Sequence, residues 1–263
     1  MNGPTLFPSR AVATDAFALG AYLPVPGFGV LPINAFLLQS REPVLVDTGL
    51  AALRDGFLEA LGAIMDPAEL RWIWLTHADQ DHLGNLEAVL QLAPQARIVT
   101  SFVGMAKLGL QGLPVDRVYL INPGQSLNVG DRELTAIRPP CFDAPETMAM
   151  FDPSTRTLFS SDCLGALIPA PVETARDIAP QDLHDGMVTW ATIDAPWLQM
   201  VREDRFAAAI AEFAKLSART VLSSHLPPAA DMTALLLEHL ACAPGAPAFT
   251  GPDQRELERM MAA

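Results

Sequence analysis

Four metal-capable side chains fall within six residues of this chain, in His77-Ala78-Asp79-Gln80-Asp81-His82, and the flanking segments restrict what that cluster can belong to. Upstream, Arg71–Thr76 is Trp-rich and apolar, the pattern of a buried strand. Downstream, Leu83, Leu86, Val89 and Leu90 recur at helical spacing through Leu92. The cluster therefore sits on a loop that leaves a strand and enters a helix. A sheet holds such a backbone still while several side chains aim at one point, which a metal centre requires. Imidazole nitrogen and hard carboxylate oxygen together suit Zn, Fe or Mn better than metals that select thiolates. The alternative is a solvated loop with Asp81 at the positive end of the helix. It accounts for one acid and leaves the rest of the set unexplained.

The same tests place other elements. Ile33–Gln39 and Pro43–Asp47 read as a hairpin around Ser40, Arg41 and Glu42, closed by Asp47-Thr48-Gly49. A helix is expected from Leu50 to about Ala63. Asp66-Pro67-Ala68-Glu69 then carries an N-cap, a first-turn proline and an N3 acid. Ala96–Thr100 reads as a strand. Arg117–Ile121, Glu133–Arg138, Met148–Asp152 and Thr157–Ser161 form a β-rich middle punctuated by Pro123-Gly124, Val129-Gly130 and Asp152-Pro153. Between Gly165 and Pro196 no period emerges, so residues 165–200 are expected to be a covering loop with short helices. Helices are expected at Arg202–Leu216, Asp231–Ala241 and Asp253–Met261, with a strand at Thr220–Ser224. Two β runs, each flanked by helices and joined without a long polar linker, predict one layered αββα domain over residues 1–263. A doubly wound parallel sheet is the alternative. It lacks G-x-G-x-x-G and phosphate-loop motifs.

Composition limits the function. Thirty acidic against seventeen basic residues give a formal charge of −13, which repels phosphate backbones and anionic lipid surfaces. Neither nucleic acid nor a membrane is expected as a partner. Three cysteines without paired spacing imply no disulfide framework. No leader segment or membrane span is read from the sequence, so the expected location is cytoplasmic.

The loop Thr76-His77-Ala78-Asp79-Gln80-Asp81-His82-Leu83-Gly84 resembles the His-x-His-x-Asp-His signature of the metallo-β-lactamase superfamily. Val44-Leu45-Val46-Asp47-Thr48-Gly49 resembles its upstream strand and turn. Leu158-Phe159-Ser160-Ser161-Asp162 resembles the strand ending in the bridging aspartate, and Val221-Leu222-Ser223-Ser224-His225 the strand ending in the last histidine. The resemblance implies an αββα sandwich with a dinuclear site between its sheets. Carried over by position, His77, Asp79 and Asp143 would hold one ion, Asp81, His82 and His225 the other, and Asp162 would bridge. Asp81 would be both ligand and catalytic residue. Cys141 is an alternative to Asp143, against a structural cysteine.

Two departures set the chemistry. Asp79 stands for the second signature histidine, and no histidine lies between Arg138 and Met148. An acid in the loop resembles the oxygen-binding di-iron and flavodiiron branch, whose loop is His-x-Glu-x-Asp-His. Asp79, Asp81, Asp143 and Asp162 carry −4, which two divalent ions would cancel, whereas a histidine-rich zinc site would keep positive charge and acidify its water more strongly. Anionic ligation instead favours higher oxidation states. The expected centre therefore holds two metal ions, Fe first and Mn or Zn as alternatives, and binds or reduces dioxygen or nitric oxide. The rival is a hydrolase of an ester, thioester or amide small-molecule substrate; a third class is a binding or sensing protein with a structural site. The chain carries no flavin or iron–sulfur motif, so redox chemistry would need an external electron donor. The resemblance also implies a homodimer as an assembly, with no interface specified.

Outside the ligand set, Asp47 is expected either to orient the signature loop or to be a turn aspartate. His184, Trp190 and Trp197 either close over the site or are a surface histidine and two core tryptophans. His239 reads as a helix-end or surface residue, Cys163 as a strand residue that points away from the metals into the core, and Met148 with Met150 as core packing on one strand face.

Overall fold

The computed structural model describes residues 3–262. Eight strands form the first sheet: β1 (Thr5–Leu6), β2 (Arg10–Ala13), β3 (Ala16–Val25), β4 (Gly29–Leu38), β5 (Val44–Val46), β6 (Trp72–Trp74), β7 (Arg97–Thr100) and β8 (Val118–Leu120). Their order is β1-β3-β4-β5-β6-β7-β8, with β2 on β3. The stretch β5 to β8 is parallel, and the earlier pairs are antiparallel. The second sheet contains β9 (Ser126–Asn128), β10 (Glu133–Ile137), β11 (Ala149–Asp152), β12 (Thr157–Phe159), β13 (Thr220–Leu222) and β14 (Ala229–Ala230), in the order β14-β13-β12-β11-β10-β9. Here only β12 and β13 run parallel. Helices α1 (Arg54–Ile64), α2 (Gln80–Leu83), α3 (Leu86–Leu92) and α4 (Phe102–Leu110) belong to the first half of the chain. Helices α5 (Pro180–Asp194), α6 (Glu203–Ala214), α7 (Thr233–Ala241) and α8 (Gln254–Ala262) belong to the second.

Side-chain alternation builds the layers. Phe36 and Leu38 of β4 point to one face and Leu37 to the other, as period-two geometry requires. Phe36, Leu38, Val46, Trp74 and Val99 meet Leu134, Ala136, Met148, Met150, Phe159 and Leu222 between the sheets. Met148 and Met150 thus share the expected face. The outer face of the first sheet packs Leu37, Leu45, Ile73 and Ile98 against Phe57, Leu61, Leu86, Val89 and Leu108 of its helices. The outer face of the second packs Ala149, Phe151, Leu158 and Val221 against Leu183, Met187, Phe206, Phe213 and Leu236. The result is the expected αββα sandwich. Burial on both faces explains the unbroken apolar run Val44–Val46 and the apolar pair Leu158-Phe159.

Three expectations about the fold change. Residues 165–200 are not mainly a loop: α5 occupies fifteen of them and buries Leu183, Met187 and Ala191. Its residues keep a stripe at helical spacing that Gly186 and the β-branched Val188, Thr189 and Thr192 obscure. The Leu83–Leu92 helix divides at Gly84 and Asn85 into α2 and α3. Strands β1 to β3 and helix α4 stand where no element was expected. The Asp66 cap forms as read, its carboxylate accepting from the Ala68 N–H at 3.0 Å.

Candidate metal centre

The site gathers at the carboxyl ends of parallel strands in both sheets, the usual place for functional residues in such sheets. Val46 pairs with Trp74 in β5 and β6, so Asp47 and Thr76 emerge side by side. Phe159 pairs with Leu222 in β12 and β13, so Asp162 and His225 emerge together. Asp47 leaves its strand with φ 58° and Ser161 leaves its own with φ 57°, left-handed turns that non-glycine residues adopt at a cost. Both turns redirect the chain at the site.

Two loops are locked together beneath it. The Asp47 carboxylate accepts from the Thr76 N–H and the Thr76 hydroxyl, each at 2.8 Å, and faces His82 Nδ1 at 2.8 Å. Thr48 Oγ1 donates to the His82 carbonyl at 2.9 Å, and Asn85 Nδ2 donates to the Thr48 carbonyl at 2.7 Å. Gly84 is required there, because an added Cβ would stand 2.3 Å from the Ala51 nitrogen. Asp47 therefore orients the signature loop and is more than a turn residue.

Each histidine is held through Nδ1, which leaves Nε2 for the centre. His82 Nδ1 faces Asp47, and His225 Nδ1 lies 2.7 Å from the Pro32 carbonyl. His77 Nδ1 lies 3.2 Å from Thr76 Oγ1 and 3.3 Å from Ser161 Oγ. Such contacts fix tautomer and ring plane. The three rings are 1% exposed, and their Nε2 atoms converge on Asp162. One oxygen of Asp162, Oδ2, is 3.5 Å from His77 Nε2. The other, Oδ1, is 3.2 Å from His82 Nε2 and 3.3 Å from His225 Nε2. Asp81 Oδ2 completes the second side at 3.5 Å from His82 Nε2 and 3.4 Å from His225 Nε2.

The structure brings all seven sequence-predicted residues together. Ligand atoms of His77, Asp79 and Asp143 lie within 4.8 Å of one another, as do those of Asp81, His82 and His225, and those of His77, His82 and Asp162. Asp143 Oδ2 is 3.9 Å from His77 Nε2, and Asp143 Oδ1 accepts from the Thr147 hydroxyl at 2.8 Å. Trp197 Nε1 donates to the Phe142 carbonyl at 2.8 Å and steadies that loop. Cys141 is buried in the helix-side core, and burial pushes its thiol well above the ordinary range. Cys163 packs in the same core from a turn rather than a strand, its thiol pushed up to about 12 by burial.

The donor set fits a cation. His77 Nε2, His82 Nε2 and Asp162 Oδ1 are buried without a hydrogen-bond partner, an arrangement that native structures avoid. Burial alone would lower His82, but Asp162, Asp47 and Asp81 outweigh it and hold the imidazole well above its usual value. In the same balance Asp162 and Asp81 overcome burial and raise His225 to about 9. Burial would raise Asp162, yet His225, His77 and His82 hold its carboxyl well below the usual range. Asp79 is raised by burial and by the Asp143 charge, against the pull of His77. The field at the centre favours positive charge.

The remaining candidates fall elsewhere. His184 pairs with Asp185 at 2.9 Å on the surface of α5, its ring against that of His239 in the last turn of α7. His239 is partly buried rather than fully exposed. Trp190 does approach the site: its Nε1 donates to the Asp162 carbonyl at 3.2 Å, and its ring lies 4.6 Å from that of His225. Sequence reading missed Asp194, whose carboxylate lies within 4.8 Å of those of Asp143 and Asp162. The available signal was its place four residues after Trp190 on one helical side.

Comparison with known proteins follows this geometry. The family model described as "ODP family beta lactamase" matches residues 31–225, well over half of the chain. The chain belongs to the ODP-family β-lactamases. A putative diflavin flavoprotein A 1 of Thermosynechococcus vestitus is 34% identical over 135 residues, covering 51% of this chain and 24% of that one. A nitric oxide reductase of Moorella thermoacetica is 28% identical over 140 residues, covering 53% and 35%. Rubredoxin oxygen:oxidoreductase from Desulfovibrio gigas shares the fold, with a TM-score of 0.77 at 18% identity over 89% of this chain and 60% of that one. A Nostoc fragment of putative diflavin flavoprotein A 5 superposes with a TM-score of 0.76 at 17% identity, covering 93% and 97%. This ODP-family chain spans only 23% to 43% of the length of the curated relatives it matches. Among its described residues no helix is long and apolar enough to cross a membrane.

Proposed function

We propose that the protein holds two iron ions and uses them to reduce dioxygen or nitric oxide, with electrons delivered by a separate donor. One observation carries this reading: the two oxygens of Asp162 face two separate histidine sets, Oδ2 toward His77 and Oδ1 toward His82 and His225. A single-ion site needs no such division. His77, Asp79 and Asp143 would hold one ion and Asp81, His82 and His225 the other, with Asp162 between them. When bound, a ferrous pair supplies electrons to a diatomic oxidant. The protein's own part is to bury the imidazoles, fix their tautomers and supply a carboxylate-rich environment that stabilises oxidised iron better than a histidine-rich one. The exposed side of the site is built from Asp79, Asp81 and Asp143, so a small oxidant would approach over carboxylates.

Relatives named for nitric oxide reduction and for rubredoxin–oxygen oxidoreduction favour redox chemistry over the hydrolase alternative. Anaerobic ferrous loading followed by mixing with dissolved dioxygen or nitric oxide tests the reading. Oxidant consumption in proportion to the bound pair, with iron oxidation, is expected. Inertness toward both gases, together with ester or thioester turnover by the zinc-loaded protein, would overturn it.

A further inference from the structure

Helix α5 contributes more to this site than packing. Its side bearing Leu183, Met187 and Ala191 enters the core of the second sheet, and its last turn ends beside the centre. Trp190 and Asp194, four residues apart, share a side of the helix. Trp190 touches Asp162 and His225. Asp194 meets Asp143 and Asp162, with one oxygen of each within 4.8 Å of the others.

Several features disfavour a carboxylate at that position unless a cation faces it. Asp194 Oδ2 is buried and has no hydrogen-bond partner. Asp194 ends a helix, where the backbone dipole disfavours negative charge. Among the described residues no Lys or Arg forms an ion pair with Asp143, Asp162 or Asp194. A neighbouring atom points the same way: His77, 1% exposed, directs its buried and unpartnered Nε2 at Asp143 Oδ2, 3.9 Å away, and Asp162 Oδ2, 3.5 Å away. Opposite ligands of one ion stand about 4.2 Å apart when each bond is about 2.1 Å. The spacing of the three carboxylates is compatible with a shared ion.

We propose that Asp194 is an additional metal-ligating carboxylate, acting on the Asp143 side of Asp162. It would supply from α5 an oxygen donor for the ion that has only one imidazole, His77. This rests on the dinuclear reading and extends it by one residue. Five carboxylates would then face the ion pair, one more than the sequence motifs supply.

Asp194→Asn, which keeps size and shape, tests it in the full chain, with exposed Asp182→Asn on the same helix as the control. Anaerobic titration with ferrous ion against a competing chelator, and Mössbauer spectra of the iron-loaded proteins, provide readouts independent of turnover. The expected result is two ions per wild-type and Asp182→Asn chain. In Asp194→Asn, one ion should bind at least tenfold more weakly and one of the two quadrupole doublets should move. Two ions bound by Asp194→Asn with wild-type affinity and spectrum would overturn the role of Asp194 and leave the centre standing. Fewer than two ions in the wild type would overturn the dinuclear reading itself.

Discussion

Asp47→Asn should impair the centre by reversing the role of one imidazole nitrogen. The carboxylate accepts three contacts at 2.8 Å, from the Thr76 N–H, the Thr76 hydroxyl and the Nδ1 side of His82. It is 1% exposed, so no water replaces a lost partner. An asparagine can keep its carbonyl oxygen on the Thr76 N–H, which turns its amide N–H₂ toward His82. His82 Nδ1 must then accept, its proton moves to Nε2, and the lone pair directed at Asp81 and Asp162 is lost. Loss of an orienting contact of this kind typically weakens metal binding by about 10- to 100-fold. Because the damage falls on His82, the ion expected at Asp81, His82 and His225 should suffer most. The fold should lose about 2–4 kcal/mol as charged buried hydrogen bonds become neutral or broken. Ferrous titration against a chelator gives the affinities, and urea unfolding gives the stability. Asp47→Asn with two ions at wild-type affinity would refute the orienting role, whatever its melting temperature.

Other substitutions separate ligands from scaffold. Asp143→Ala should weaken the ion beside His77 by at least about tenfold, whereas Cys141→Ala should leave metal affinity unchanged; equal effects in chelator competition would revive the thiolate alternative. Gly84→Ala places a Cβ 2.3 Å from the Ala51 nitrogen and 2.5 Å from the Gly49 oxygen, so unfolding should be easier by about 1–3 kcal/mol or more. Burial raises the Asp152 carboxyl, but bonds from Ser154, Thr155 and Arg132 outweigh it and lower its titration below the usual value. A lowered folded value means stability that is present above the unfolded value of about 4 and lost as pH falls through the folded one. The gap between wild type and Asp152→Asn in urea melts should therefore be wide at pH 6 and close in acid; a gap independent of pH would contradict it.

Legibility in the sequence followed chemical density and periodicity. His77 to His82 stood out because four ligand types crowd one strand-to-helix loop, and Phe36, Leu37 and Leu38 announce a strand buried on both faces. Asp162 and His225 became legible only as strand-end residues placed by resemblance, since neither has a clustered neighbour of its own kind. Helix α4 was hidden by Gly104, Gly109 and Val103, which lower helix propensity. Its N-terminus is secured by Ser101, whose hydroxyl accepts from the Gly104 N–H at 3.2 Å. Strands β1 to β3 have few polar residues to mark an alternation, and pairing across the sheet decides them. Asp194 was missed because its helix was read as irregular, so no face could be drawn on which it and Trp190 coincide.

Mössbauer spectroscopy of protein loaded anaerobically with two equivalents of ferrous iron, then exposed to dioxygen, tests the central claim most directly. The account predicts two iron ions per chain in distinct environments that convert together to a coupled ferric pair. A single retained iron, or iron displaced by stoichiometric zinc without reaction toward dioxygen or nitric oxide, would contradict it.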